Sequence, residues 1–195
     1  MDVFDKAVGG ADIVSCLGPL SGLAGTWSGE AGIDVAAGRH GPVETPYRER
    51  LQFEPLGPVV NGPQLLYGLR YATTAWPLGC DDPFHEEVGY WLWDAKAGQV
   101  MRCFMVPRGV TINAGGDASA DATAFTMQAL LGSTTFGILS NPFLDQAFRT
   151  VRYDLSVELH EDGAFSYHED TRLQIHGVEG IFHHTDCKRL TRITD

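Results

Sequence analysis

From residue 25 onward the chain is dominated by short runs in which large apolar and polar side chains alternate. Successive residues of a strand point to opposite faces, so a period of two predicts β-strands. Such runs occupy residues 25–30, 46–53, 64–75, 85–93, 99–107 and 108–114. In 46–53, Tyr47, Glu49 and Leu51 share one face; 64–75 is rich in aromatic and β-branched residues, which favour strands. Residues 94–98 read as a hairpin turn between two of these runs. Residues 124–131 and 134–139 are weaker candidates, and Asn141-Pro142 interrupts the pattern. Alternation then returns in 147–160, where Val151, Tyr153, Leu155, Val157 and Leu159 share a face. A turn at 161–163 leads into 164–176, a second turn at 177–180 into a closing strand, 181–193.

Roughly ten strands at short, regular spacing predict an all-β, antiparallel up-and-down meander. Closing that meander into a barrel removes its exposed edges. Residues 11–23 suit a short helix, broken at Gly18-Pro19, that lids one end. The whole chain, 1–195, is expected to form one domain: a helical segment over 1–24 and a barrel over 25–193.

Composition narrows the function. A net charge of −11 speaks against a nucleic-acid partner, which needs a basic patch, and against docking on an anionic membrane. No apolar run approaches the ~20 residues of a spanning helix. The first residues lack the basic start and apolar stretch of a secretory signal, so the expected location is cytoplasmic. The four cysteines are scattered without a C-x-x-C pair, which disfavours zinc and suggests free thiols. There is no P-loop, dinucleotide fingerprint or nucleophile elbow.

The candidate chemistry gathers at the closing strand, where His183 and His184 stand side by side. One of them must point inward. Phe182, His184, Asp186 and Lys188 share one face, and Ile181, His183, Thr185, Cys187 and Arg189 the other. Neither face is cleanly apolar, so alternation leaves both histidines open. A single neutral imidazole in a mostly apolar pocket suits an iron porphyrin. It does not suit zinc, which takes three or four protein ligands. His85, after the Pro83 turn, is either a polar residue at a strand mouth or a group facing a lumenal ligand. His160 and His168 read as exposed or outward, and His176 as a strand-end residue near the mouth. The carboxylates Glu86, Glu87, Glu158, Glu161 and Asp162 fall at strand ends and turns and read as solvated surface.

Several motifs in their order along residues 23–192 resemble the nitrobindin family, heme-binding, fatty-acid-binding-protein-like β-barrels that include the C-terminal domain of a THAP-type protein. Gly25, Trp27 and Gly29 match the opening G-x-W-x-G of that family, while Ala31 and Ile33 replace its later glycines. Tyr47, Glu49, Leu51, Phe53 and Gly57 match the next strand. The most specific match is Pro83-Phe84-His85-Glu86-Glu87-Val88-Gly89-Tyr90-Trp91, followed by Pro107 and Gly109. Leu190 and Arg192 anchor the last motif, which carries the family's proximal histidine. Counted back from Leu190, that histidine falls on Thr185, one residue from His184 and two from His183. A one-residue bulge is therefore expected in this strand, with His184 favoured.

The resemblance implies heme b held through His184 (alternatively His183), with His85 on the distal side and Phe84 and Thr171 lining the pocket. It implies a lipocalin-like cup that binds nitric oxide or isomerises peroxynitrite to nitrate, so that an enzyme is one form of the expectation. Additional sequence at 117–146 is expected to narrow or cover the pocket. The alternative reading is an iron-free carrier of a fatty acid or another small apolar ligand, and a third is a filled barrel serving structure or partner binding. The expected partners are thus heme or a small hydrophobic ligand in the lumen; the reading also allows a homodimer.

Overall fold

The computed structural model describes residue 9 and residues 12–193. Eleven strands close into a barrel: β1 (Gly25–Gly38), β2 (Gly41–Asn61), β3 (Gln64–Pro77), β4 (His85–Asp94), β5 (Gln99–Val106), β6 (Val110–Asp117), β7 (Ala124–Leu131), β8 (Gly137–Ser140), β9 (Phe148–Leu159), β10 (Phe165–Ile175) and β11 (Phe182–Arg192). Around the wall they run β1-β11-β10-β9-β7-β8-β6-β5-β4-β3-β2 and return to β1. The barrel is as the alternation predicts, with two corrections. There are eleven strands rather than roughly ten, and the wall is not wholly antiparallel. β7 and β8 pair in parallel at Leu130↔Gly137 and Leu131↔Ile138, and the Leu130 amide also donates to the Phe136 carbonyl at 3.1 Å.

The interruption at Asn141-Pro142 is a one-and-a-half-turn helix, α1 (Pro142–Ala147). Asn141 caps it, accepting a hydrogen bond from the Leu144 amide at 3.0 Å, and Pro142 occupies a first-turn position that needs no donor. The N-terminal segment forms two 3₁₀ turns, Val14–Cys16 and Gly18–Leu23, instead of an α-helix. Gly18-Pro19 prevents a longer run, and residue 11 of the expected helix lies outside the described residues. Leu17, Leu20 and Leu23 of this segment are fully buried and plug one end of the barrel. No helix among the described residues is long and apolar enough to cross a membrane.

The interior is layered. Next to the plug lies an aromatic core in which Trp27 packs edge-on against Phe165, with centroids 4.8 Å apart, and Phe53 edge-on against Trp91 at 5.3 Å. Above it comes a layer of buried ionic and hydroxyl groups, and above that an open cavity. β4 crosses all three: its inward residues run His85, Glu87, Gly89, Trp91 and Trp93, from the cavity to the plug.

One irregularity positions the site. In β1, residues 25–29 and 32–38 pair with β2 in registers that differ by one residue, and the pairing with β11 shifts across the same stretch. This is a β-bulge, and it reverses which residues face inward. Before it the inward residue is Trp27; after it the inward residues are Gly32 and Asp34, while Ile33 is exposed. β11 runs against β10 in an unbroken register from Phe165↔Leu190 to Leu173↔Phe182. The bulge expected in the closing strand thus lies in its neighbour, at the stretch where Ala31 and Ile33 depart from the family's glycines.

Candidate functional site

β11 presents Phe182, His184, Asp186, Lys188 and Leu190 to the barrel interior. His183 lies on the outer wall, its side chain about half exposed, with Nδ1 2.9 Å from Asp170 Oδ2. His184 faces a cavity of about 790 Å³, within the size class of small-molecule and cofactor sites. The same cavity is lined by His85, Phe84 and Thr171, so four of the five residues singled out in the sequence converge here. Thr171 is the direct cross-strand neighbour of His184. The other histidines lie elsewhere: His168 and His176 are exposed, and His160 holds Ser166 at 2.7 Å on the outer wall.

The walls are largely apolar, with Phe104, Val106, Ile112, Phe148 and Leu173 facing in. Phe143 and Leu144 of α1 add to one side. The segment expected to cover the pocket therefore does supply part of its rim. Arg108 also lines the cavity, at the end of the β5–β6 turn.

The floor is polar. His184 Nε2 lies 2.7 Å from Asp34 Oδ1, the carboxylate that the β1 bulge turns inward. Across from it, His85 Nε2 lies 3.1 Å from Glu87 Oε1. The other Glu87 oxygen receives hydrogen bonds from Arg102 Nη2 at 2.5 Å and from the Tyr71 hydroxyl at 2.9 Å. Arg102 Nη1 binds Glu169 Oε2 at 2.6 Å and also the Tyr153 hydroxyl, which itself donates to Glu169 at 2.7 Å. Beneath these, Glu49 accepts from Thr73 at 2.6 Å and from Tyr167 at 2.9 Å. Lys188 donates to the Tyr47 carbonyl at 3.0 Å and sits 3.7 Å above that ring's centroid.

Burial sets the charges of this layer. It would push the Glu87 carboxyl up, yet Arg102, His85 and Tyr71 outweigh it and hold the group down at about 2. Burial pulls His85 down, but the Glu87 hydrogen bond and charge, with Glu169 and Glu49 further away, leave its pKa raised. Lys188 is pulled down to about 8 by burial, against the attraction of Glu49 and Asp186. Burial raises Glu49 despite its hydrogen bond from Thr73, the Lys188 charge and its bond from Tyr167. Asp186 is raised well above the carboxylate range by burial and then by Glu169 and Glu49.

Glu87 corrects the sequence reading. Taken there as solvated surface, it is 4% exposed and central to the floor. Arg102, Glu49 and Asp34 were not singled out by the sequence. The available signal was parity: Arg102 stands at an inward position between Val100 and Phe104, and Glu49 between Tyr47 and Leu51. A charge at an inward position on several strands implies a buried network, because each must find a partner.

The donor set fits a porphyrin better than a bare ion. Among the described residues no group of three or more His, Cys, Asp or Glu side chains is arranged to hold a metal ion. One imidazole facing a broad apolar cavity supplies a single axial ligand and leaves the macrocycle to apolar contacts.

The comparisons with known proteins agree with this geometry. No curated protein matches the sequence. Among solved structures, Rv2717c from M. tuberculosis is similar in fold, with a TM-score of 0.66 and 21% sequence identity, over 94% of this chain and 100% of the other. Residues 16–192 match a family model described as the THAP4-like, heme-binding beta-barrel domain, whose cofactor is heme. With most of its length matched, this chain belongs to the family of THAP4-like, heme-binding β-barrel domains.

Proposed function

We propose that the cavity holds heme b through His184, with His85 on the opposite, ligand-binding side and Phe84 and Thr171 against the macrocycle. The reading adds that the ferric heme binds nitric oxide or isomerises peroxynitrite to nitrate. The observation that carries it is the placement of His184, an imidazole on the lumenal face of a cavity of about 790 Å³ with His85 on the same cavity. When bound, the heme iron supplies an axial position for a diatomic or peroxy ligand. The chain's own contribution is to position one imidazole, to surround the macrocycle with Phe104, Val106, Ile112 and Leu173, and to place His85 and its carboxylate partner at the floor. Isomerisation of peroxynitrite is redox-neutral overall and calls for no second substrate.

The polar floor weighs against a fatty-acid carrier. A carboxylate pointing inward would meet Asp34, Glu87 and Glu169, and Arg102 beneath them is already paired with two glutamates, which leaves only His85 on the floor and Arg108 in the β5–β6 turn to receive it. Adding hemin to heme-free protein tests the reading. A Soret band is expected for the wild type and for His183→Ala, and its loss for His184→Ala. Absence of a band in the wild type, or recovery of a lipid without porphyrin by organic extraction of protein purified from cells, would overturn it.

A further inference from the structure

The floor contains more buried charge than a single axial histidine needs. His85, Glu87, Arg102 and Glu169 form a continuous chain of contacts at 3.1, 2.5 and 2.6 Å, drawn from β4, β5 and β10. Tyr71 from β3 and Tyr153 from β9 brace its two carboxylates. Burying such a set is costly and is sustained only when each member is satisfied. Each carboxylate here has at least two partners, and the guanidinium is shared between them. The chain ends at His85, the one member with a substantially exposed side chain, 38%. Its Nε2 faces Glu87, and its Nδ1 has no hydrogen-bond partner among the described residues.

We propose that Glu87 and Arg102 are positioning residues that act through His85, fixing its ring as an imidazolium whose Nδ1–H is offered to an oxygen-bearing ligand in the cavity. The inference rests on the heme reading for the identity of that ligand, but the ring's protonation is readable in the heme-free protein. Nε2 lies 3.1 Å from Glu87 Oε1, a distance at which the carboxylate charge favours the doubly protonated ring, the form in which Nδ1 and Nε2 both carry a proton. A fixed donor facing the cavity stabilises negative charge on a bound oxygen and discriminates against ligands that cannot accept a hydrogen bond. Arg102 keeps Glu87 ionised and in place. The other charged groups on the cavity are Asp34 and His184, paired with each other on the far side of the floor, with Glu86 and Arg108 at its margin. Glu169 and Glu49 reinforce the cation from below. Among the described residues, Glu87 is the one carboxylate in contact with the His85 ring.

Two measurements test this and separate its failure from that of the heme reading. In heme-free protein, long-range ¹⁵N–¹H NMR of the imidazoles should show His85 retaining its second proton to higher pH than an ordinary histidine. Glu87→Gln, close to isosteric, should lower that midpoint while the amide spectrum stays folded. An unchanged midpoint overturns the proposal whatever the protein does with hemin. In ferrous, heme-loaded protein, carbon monoxide is the probe: a donor beside the bound oxygen lowers the C–O stretching frequency. Glu87→Gln and His85→Gln should each raise it, and the double variant should raise it no further, since Glu87 acts through His85. Additive shifts, or no shift on Glu87→Gln, overturn it. Arg102→Lys, retaining the charge without the fork that reaches both glutamates, should give a smaller shift in the direction of Glu87→Gln.

Discussion

Asp34 Oδ1 approaches His184 Nε2 to 2.7 Å, so the nitrogen best placed to leave the barrel wall is already engaged by a carboxylate. Ligation of iron through that nitrogen has to displace Asp34. Asp34→Ala is therefore expected to bind hemin more tightly, by up to about tenfold, or about 1.4 kcal/mol. Hemin titration followed at the Soret maximum measures this. Weaker binding in the variant would mean that Asp34 supports the ligand rather than competing for it.

That pair spans the β1 bulge, which makes a second prediction. The bulge absorbs one extra residue, so Trp27 before it and Asp34 after it both face inward. Deleting Glu30, an exposed residue within it, leaves six steps between them and makes the strand regular. Asp34 should therefore stay inward, and the hydrogen-bonded imidazole proton of His184 should persist in the heme-free NMR spectrum; its loss would mean that the bulge itself, rather than the strand's alternation, holds the pair.

Arg102 is the only cation in contact with both Glu87 and Glu169 among the described residues. Arg102→Met leaves two buried carboxylates facing each other and should cost about 3–5 kcal/mol of unfolding free energy. Denaturant unfolding measures the loss. Adding Glu87→Gln and Glu169→Gln to the same chain should recover a large part of it, because the uncompensated charges are gone.

The same carboxylate gives a pH dependence. Glu87 is held at about 2 in the folded protein, below its ordinary value of 4.5. A lowered folded-state pKa contributes stability that is present above the unfolded value and is lost as pH falls through the folded one. Wild-type stability should decline between about pH 4.5 and pH 2, and Glu87→Gln should flatten that decline. Equilibrium unfolding across the acid range reads the difference. His85 has the opposite sign: its raised pKa contributes stability at low pH that fades as pH rises through the folded value.

Gly89, inside the most specific sequence motif, has a steric reason to be glycine. A Cβ there would sit 2.1 Å from the Cys103 carbonyl oxygen and 2.8 Å from the Phe104 Cα, both backbone atoms of the neighbouring β5. Those atoms cannot move aside without opening the wall. Gly89→Ala should cost about 3 kcal/mol or more, read by thermal unfolding or by loss of soluble protein.

Much of this molecule is legible in its residues, for identifiable reasons. Alternation marks most strand positions because one face of each strand is packed. It puts Tyr153, Leu155 and Val157 on one face, and all three are buried, but a register shift between β9 and β10 breaks the alternation at Val151 and turns Thr150 inward instead. The convergence of Phe84, His85, Thr171 and His184 on one cavity follows from motif order. Parity alone fails at His183 and His184, because the inward face of β11 carries His184, Asp186 and Lys188 and does not look apolar. His184 is matched by Asp34 on β1, and Lys188 by the Tyr47 carbonyl and the Glu49 charge on β2, which no local pattern reveals; Asp186 Oδ1 is buried without a hydrogen-bond partner among the described residues. The β1 bulge is equally hidden: Glu30-Ala31-Gly32 reads like any small, polar stretch. The parallel β7–β8 pairing spans only two residue pairs and leaves no mark on strand composition.

The layered interior also determines traffic. Leu17, Leu20 and Leu23 and the aromatic core beneath the ionic floor seal one end, so the vessel is blind. Whatever occupies the cavity therefore cannot pass through this sealed end, and bulk added at Phe84, Arg108 or Phe143, which line the cavity, should slow its arrival and its departure alike.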